Sequence, residues 1–599
     1  MKKITASFQV QRLLKEAKVL YQRQLFNEAR SIYEVLVKKI PSNPEVNAHL
    51  GMIELQSGNL KYGIAFLEKA LTSNPNEFYL LVNLGSALVN TGEFSKAIPN
   101  LDSAIKINPN LSSLHYNKAL ALKGLNQYPA AIKSYQEAIR IDPLNVQAIS
   151  NLGFLYNEIK EFDLALNTYA QGINIEPANA SLFYNRGIVY ENKNKFEEAL
   201  GDYDKALAIN PHFELCLFNK CGVLMQLGLI DESLTTINTA ITLSPNNLKN
   251  YIKKAVILEE QRDIKGAFEI YDHALKIQPG NIEVKAKKSF STLALENFQE
   301  GWKLYENRWW NMTRIESSKP ELDNFNIKNK SILIWGEQGI GDQIIYASML
   351  FDAFKTPNNF YVSIDSRLVD LFCRSFFLSK NVQFISLDET VPESIYDYHI
   401  PMASLGKFFR NHVEDFDRKP EAYLKADPER ISFLSKRIKI NKNKICGISW
   451  KSKNPQLGLS KSLALQQMLP ILKLDNITFV NLQYGETENE IKTLDKKFNI
   501  KIKTVDEVDN FNDLDGLTAL VEACDFIVTS SNVTAHIAGA LNKKTYLLLP
   551  FAFGRIWYWG ESRTQSLWYP SISIYRSNSS GTWDNPIDAL SKNLKIAYG

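Results

Sequence analysis

A chain of 599 residues is too long for one hydrophobic core, and a composition 45% apolar and 22% charged is that of ordinary folded protein, which excludes wholesale disorder. The 69 basic residues nearly balance the 65 acidic ones, for a net charge of +4, so neither a nucleic-acid surface nor an acidic tail is expected. The five cysteines, Cys216, Cys221, Cys373, Cys446 and Cys524, form no CxxC pair and no Cys/His cluster; this argues against a disulfide framework or zinc site and for a reducing, cytosolic compartment.

The N-terminus, "MKKITASFQVQRLLKEAK", is basic but never becomes an apolar h-region, and no stretch approaches the ~20 apolar residues of a transmembrane helix. A repeat follows. Pro41, Pro75, Pro109, Pro143, Pro177, Pro211, Pro245 and Pro279 are spaced by 34 residues. Twelve positions before each lies a small side chain: Ala29, Gly63, Ala97, Ala131, Ala165, Ala199, Ser233 and Ala267. Four residues later a larger one follows, such as Tyr33, Leu67, Tyr135 or Tyr203. Small residues let two helices approach, the larger ones fill the gap, and the proline ends the second helix. The pattern resembles the tetratricopeptide repeat, in eight copies plus a partial ninth over Ile282 to Trp310, and implies an α-solenoid over residues 1–310 with a concave groove that binds peptide or protein.

Asn83, Asn117, Asn151, Asn185 and Asn219 recur at the same period on the first helix of their pairs. A row of carboxamides can hold an extended peptide backbone. In that respect it resembles the asparagine ladder of the O-linked N-acetylglucosamine transferase; the other reading is that Asn is simply common at this repeat position.

After a polar linker or wrapping arm at 311–329 the period changes. Short apolar runs, "SILIWG", "FYVSID", "ICGISW", "ITFVNLQ", "DFIVTS", "TYLLLP" and "SISIYR", alternate with helix-length segments, which predicts parallel sheets covered by helices. The fold class is therefore α plus α/β, with two Rossmann-like halves at 330–430 and 431–599 meeting near Asp427 to Asn443. In "ILIWGEQGIGDQIIYASML", Gly336, Gly339 and Gly341 are expected to allow backbone angles and close approaches that a side chain would block. Asp342 then stands at a strand's carboxyl end, where ligands bind in such sheets, or serves as a helix N-cap. In "CGISWKSKNPQLGLSKSLALQQM", Lys451 and Lys461 follow a strand and can neutralise a leaving phosphate, or are simply solvated. "FVNLQYGE" offers Gln483 and Tyr484 as base or ribose contacts, or a plain turn. "SSNVTAH" puts Ser531, Asn532, Thr534 and His536 at a helix start suited to a diphosphate, with packing the alternative for His536. The "DLD" at Asp513 to Asp515 precedes a helical run and reads as a cap, not a metal motif. Trp557, Tyr558, Trp559, Trp568 and Tyr569 are packing or sugar-stacking residues.

Together "GEQGIGD", "NLQYGE", "SSNVTAHIAGALNKKTYLLLP", "SLWYPSISIYR" and "GTWDNPI" resemble the heptosyltransferase-like (family 9-like) glycosyltransferases of GT-B fold, and more closely the bacterial proteins that join tetratricopeptide repeats to such a domain. The resemblance covers essentially the whole chain. It implies an inverting, metal-independent transfer with no resident cofactor, a nucleotide-sugar as co-substrate on the C-terminal half and the acceptor on the N-terminal half. It makes Asp342 the general base, Lys461 the donor-phosphate contact, and Thr534 and His536 part of the diphosphate cradle. The implied acceptor is a protein recruited by the repeats, flagellin or another surface protein. A docking scaffold with a degenerate transferase domain, and a transferase for lipid-linked or polysaccharide acceptors, are the alternatives. Ser531-Asn532-Val533 replaces the family's Asp-Thr-Gly-type start, so the donor's identity does not carry over; the short N-terminal half likewise leaves the acceptor pocket open.

Overall fold

The structure, a computed structural model, describes residues 2–377, 379, 381–418, 421–439, 442–453, 458–551, 556–578 and 582–598. Gly581, which opens the "GTWDNPI" motif, residues 440–441 of the expected junction and part of the segment between Lys451 and Lys461 lie outside them. The chain forms two compact units, Met1–Leu227 and Gly228–Gly599, and the boundary falls at the turn inside the seventh helix pair.

Among the described residues eighteen helices run from Lys2 to Tyr305. The predicted small and large slots are both in the core: Ala97, Leu101, Ala131, Tyr135, Ala199 and Tyr203 are completely buried. Gly85 shows why a small residue is needed, since a Cβ there would stand 2.7 Å from Leu101 Cδ2. The turn inside each pair contains one left-handed residue: Gln24, Gly58, Gly92, Asn126, Lys160, Asn194, Gly228, Arg262 and Glu296. These are again 34 residues apart. They end the first helix and reverse the chain, and the ninth of them makes the last pair (Ile282–Ala294 and Phe298–Tyr305) a full repeat hairpin.

In the second unit β1 (Ser331–Trp335), β2 (Asn359–Ile364), β3 (Val382–Ser386) and β4 (Tyr398–Pro401) form a parallel sheet in the order β3-β2-β1-β4. A second parallel sheet contains β5 (Lys444–Ser449), β6 (Ile477–Asn481), β7 (Ile502–Lys503), β8 (Phe526–Ser530), β9 (Thr545–Leu549) and β10 (Ile572–Arg576), in the order β10-β9-β8-β5-β6-β7. All five residues of β8 are buried, and alternate ones enter different clusters: Phe526 and Val528 on one face, Ile527 on the other. Burial on both faces explains why these strands read as continuous apolar runs. Strand order reverses between β1 and β4 and between β5 and β8, and such switch points open a crevice at the carboxyl ends of the strands.

The polar segment at 311–329 is a wrapping arm. Leu322 is 1% exposed in the core, and its N–H donates to His399 O at 2.8 Å. The ninth repeat belongs to the same core. Trp302 packs against Gly406, where a Cβ would come within 2.3 Å of the indole, and donates from Nε1 to Arg410 O at 2.8 Å.

Candidate functional site

A cleft of about 230 Å³ opens at the two switch points. The turn after β1 brings Gly339, Ile340, Gly341 and Asp342; the chain after β5 brings Ser452, Lys453 and Lys461; the turn after β8 brings Ser531, Asn532, Val533 and His536. Tyr484, Arg367, Asn510, Phe511 and Tyr558 also line it, with the apolar Leu514 and Ile556.

The helix Ile340–Ala347 is capped by Gly339, and Asp342, in its first turn, accepts the Gly339 N–H at 3.3 Å. Asp342 is thus a partial cap from inside the helix and still lines the cleft. Its side chain is half-buried, with the cleft on its open side. This burial pushes its carboxyl up to about 6, against the lowering pull of the Gly339 N–H and the Lys461 ammonium, while Glu337 adds to the rise. Gly336, Gly339 and Gly341 do not supply left-handed angles; in this loop Gln338 does, with φ 62°. Gly341 serves the other expected purpose, close approach: a Cβ there would stand 2.8 Å from His536 Cδ2, so the two helices meet only because it has no side chain.

Lys461 ends the short helix Gly458–Lys461 and is 4% exposed. Burial lowers its proton affinity and Asp342 raises it. Among the described residues no carboxylate comes within ion-pair distance of its ammonium, and Asp342 acts on it only from farther across the cleft. Lys451 is different. It pairs with Glu490 at 2.5 Å and does not line the cleft.

The helix Val533–Ala540 is capped by Asn532, with Ser531 just before the cap. The Asn532 side chain touches the cleft, but its amide is committed to the fold. Oδ1 accepts the Thr534 N–H at 3.0 Å, and Nδ2 donates to Ser449 Oγ at 2.7 Å and Lys451 O at 3.1 Å. Ser531 Oγ accepts from Trp559 Nε1 at 2.9 Å. His536 lines the cleft with both ring nitrogens engaged, Nδ1 with Tyr569 OH at 3.2 Å and Nε2 with Tyr558 OH at 3.3 Å. Burial and the nearby Lys461 push it down to about 3, so it stands neutral as a wall residue. Thr534 is fully buried and outside the cleft lining. Gln483 also lies beneath the surface, where its Oε1 gathers Ser449 Oγ and the N–H groups of Trp450 and Lys451 at 2.7–3.0 Å. It shapes the turn after β5 and does not reach the cleft.

Of the aromatic cluster only Tyr558 lines the cleft; Trp557, Trp559, Trp568 and Tyr569 pack in the core. Asp513 caps the helix Leu514–Ala523 through the Gly516 N–H at 2.8 Å and pairs with Arg430; Asp515 pairs with Arg374. That is the cap role expected for "DLD". Among the described residues no group of three or more His, Cys, Asp or Glu is placed to hold a metal.

Sequence reasoning missed Arg367, Lys453, Asn510 and Phe511. Arg367 follows β2, Lys453 follows β5, and both cations lie over the Phe511 ring at 5.3 and 5.1 Å. A strand end followed by a basic residue was the available signal for both; Asn510 and Phe511 carry none.

In the first unit the Asn column is half-buried. Asn117 donates to Ser86 Oγ at 2.8 Å and Asn219 to Tyr184 OH at 3.2 Å, each in the preceding repeat. Asn83 and Asn151 bond their own helices at Tyr79 O and Gln147 O. Much of the column's N–H capacity therefore braces the repeats. Asn185 occupies the same register on the helix Ala180–Asn192.

Residues 180–213 match the tetratricopeptide repeat family, as do 44–77 and 78–111, and 124–160 match a further TPR repeat family. The N-terminal part carries tetratricopeptide repeats. A curated relative, the protein FlbA of Caulobacter vibrioides, is 26% identical over 337 residues, covering 51% of this chain and 53% of its own length. The chain thus spans about half the length of that relative. Among solved structures, the crystal structure of MamA is 26% identical over 27% of this chain and 95% of its own, with a TM-score of 0.27. YrrB, described as a TPR protein with an unusual peptide-binding site, is 23% identical over 31% and 97%, with a TM-score of 0.29. A tetratricopeptide repeat protein from Parabacteroides merdae is 16% identical over 43% and 98%, with a TM-score of 0.33. No helix among the described residues is long and apolar enough to cross a membrane.

Proposed function

We propose that the protein is a glycosyltransferase that moves a sugar from a nucleotide-sugar to an acceptor hydroxyl, its two α/β halves pairing as in the GT-B fold. The observation that carries this reading is Lys461, 4% exposed and with no carboxylate within ion-pair distance among the described residues, which shares a cleft with a carboxylate whose proton affinity lies near neutrality. A cation with no close ion-pair partner, in a cleft of strand ends and helix starts, suits an anion, and a diphosphate is the leaving group of such donors. Asp342 then takes the acceptor's proton as the hydroxyl oxygen attacks the anomeric carbon. The bond from that carbon to the diphosphate breaks, and the charge released falls on Lys461 and the positive end of the helix Val533–Ala540.

The acceptor is a protein or peptide held by the repeats, flagellin or another surface protein being the class carried by the resemblance. Peptide binding is a common use of tetratricopeptide repeats, and the Asn column, partly spent on bracing, is the part of the groove suited to backbone contact.

Thermal unfolding tests the donor site. In a panel of ADP, UDP, GDP, CMP and their sugars, one nucleotide at about 100 times its Kd is expected to stabilise the protein by ~2.7 kcal/mol. Lys461→Met is expected to abolish that shift while leaving the ligand-free melt unchanged or raised, because it removes the charge of a 4% exposed residue that has no close ion-pair partner among the described residues. Flat curves for the whole panel would instead indicate a docking scaffold whose cleft has lost its chemistry.

A further inference from the structure

The loop that carries Asp342 is held from the ninth repeat. Arg308, in the turn that follows Phe298–Tyr305, grips Glu337 with both arms: Nε donates to Oε2 at 2.7 Å and Nη2 to Oε1 at 2.8 Å. Both side chains are 2% exposed. The remaining guanidinium contacts are also made: Nη2 to Ser404 Oγ at 2.8 Å, and Nη1 to Tyr305 O and Glu306 Oε1 at 3.1 Å. Glu337 Oε1 also accepts the Ala403 N–H at 3.0 Å. Beside it, the left-handed Gln338 donates from Nε2 to Tyr305 OH at 2.8 Å. The repeat thus supplies three hydrogen bonds to two consecutive loop side chains. A buried, fully bonded ion pair contributes little net stability over an apolar pair of the same size, but it fixes geometry.

We infer that Arg308 is a positioning residue for the cleft: from the last repeat it fixes Glu337, hence the loop 336–339 and the place of Asp342. This rests on the proposed transfer reaction, but the position of the loop can be measured without any sugar being transferred. The charged and titratable groups around Asp342 are Glu337 on its own loop, Lys461 across the cleft, the neutral His536, and the tyrosines Tyr346, Tyr558 and Tyr569, which burial keeps un-ionised; Arg367, Lys453 and Tyr484 line the same cleft.

Three full-length variants test it: Arg308→Met, Glu337→Gln and the double variant, which has no unpaired buried charge and is expected to fold even where Arg308→Met does not. Hydrogen exchange of the backbone amides from 337 to 342 should be at least about tenfold faster in the double variant than in the wild type, at an unchanged melting temperature. Carbodiimide labelling of Asp342, read by mass spectrometry against pH, separates positioning from mere structure. Its midpoint should fall by about one pH unit in Glu337→Gln, which removes a like charge, and rise in Arg308→Met, which leaves that charge uncompensated. Wild-type exchange in a folded double variant would overturn the proposal, as would a labelling midpoint that moves in neither single variant. The nucleotide-induced melting shift reports the donor site independently, so a failed donor site and a failed clamp give different results.

Discussion

Asp342→Asn is expected to lower sugar transfer by about 10²–10⁴-fold at pH 7.5 while leaving the nucleotide-induced melting shift intact. Asparagine keeps the shape of the side chain and can still accept the Gly339 N–H, but it has no basic oxygen for the acceptor's proton. The pH profile carries the same assignment. Burial raises the carboxyl from its ordinary value near 4 to about 6, so it is the carboxylate at pH 7.5 and turnover should fall about tenfold per unit below pH 6. The effect on stability has the opposite sense to that of a salt-bridged carboxylate. The folded protein binds the proton more tightly than the unfolded chain, so stability falls as pH rises from about 4 to about 6 and stays lower above that range. Asp342→Asn should therefore stabilise the protein at pH 7.5, by on the order of 2 kcal/mol once the water in the cleft is allowed for. A variant both less active and more stable is the signature of a group strained for function; equal activity at pH 7.5 would remove Asp342 from the chemistry. Transfer is measured with the donor that the melting panel selects.

The repeats were legible because helix packing writes itself into sequence at a fixed period. Ala97 and Leu101 are where the 34-residue spacing put them, in the core. The left-handed turn residues repeat as strictly in the structure but were hidden in sequence, since Lys160, Arg262, Gln24 and Glu296 occupy positions that Gly58, Gly92 and Asn126 fill elsewhere. A strained angle costs a non-glycine residue only about 1 kcal/mol, which a well-packed hairpin tolerates. The parallel sheets were legible as apolar runs, and Asp342, Lys461, Ser531 and His536 as strand-end residues that the switch points then gather into one cleft. Gln483 and Asn532 were chosen for their chemistry, which the fold spends on its own backbone. A sequence does not show which amides are already bonded. Arg308 and Glu337 are 29 positions apart on different elements, and a pair formed by tertiary packing leaves no period to read.

Trp302→Ala is expected to destabilise the second unit by about 3–5 kcal/mol, a large share of the 5–15 kcal/mol typical of a folded domain. The indole is 1% exposed and meets three other rings edge-on: Trp557 at 5.3 Å, Tyr305 at 5.7 Å and Tyr346 at 6.3 Å between centroids. Removing it empties a cavity that cannot collapse, because Gly406 has no side chain to move in and the surrounding rings are fixed by one another. It also strips Arg410 O of its donor. Trp302→Phe, which keeps most of the apolar volume, should cost less than half as much, and the two denaturation midpoints provide the comparison. The consequence reaches function because Trp302 and Arg308 lie six residues apart in the same repeat, one anchoring the hairpin in the core and the other holding the loop of Asp342. Loosening the anchor should therefore speed hydrogen exchange in the loop 336–339 before the unit unfolds. A Trp302→Ala protein with wild-type stability and wild-type loop exchange would mean that the ninth repeat merely adjoins the α/β core. The buried contacts of both residues predict the opposite.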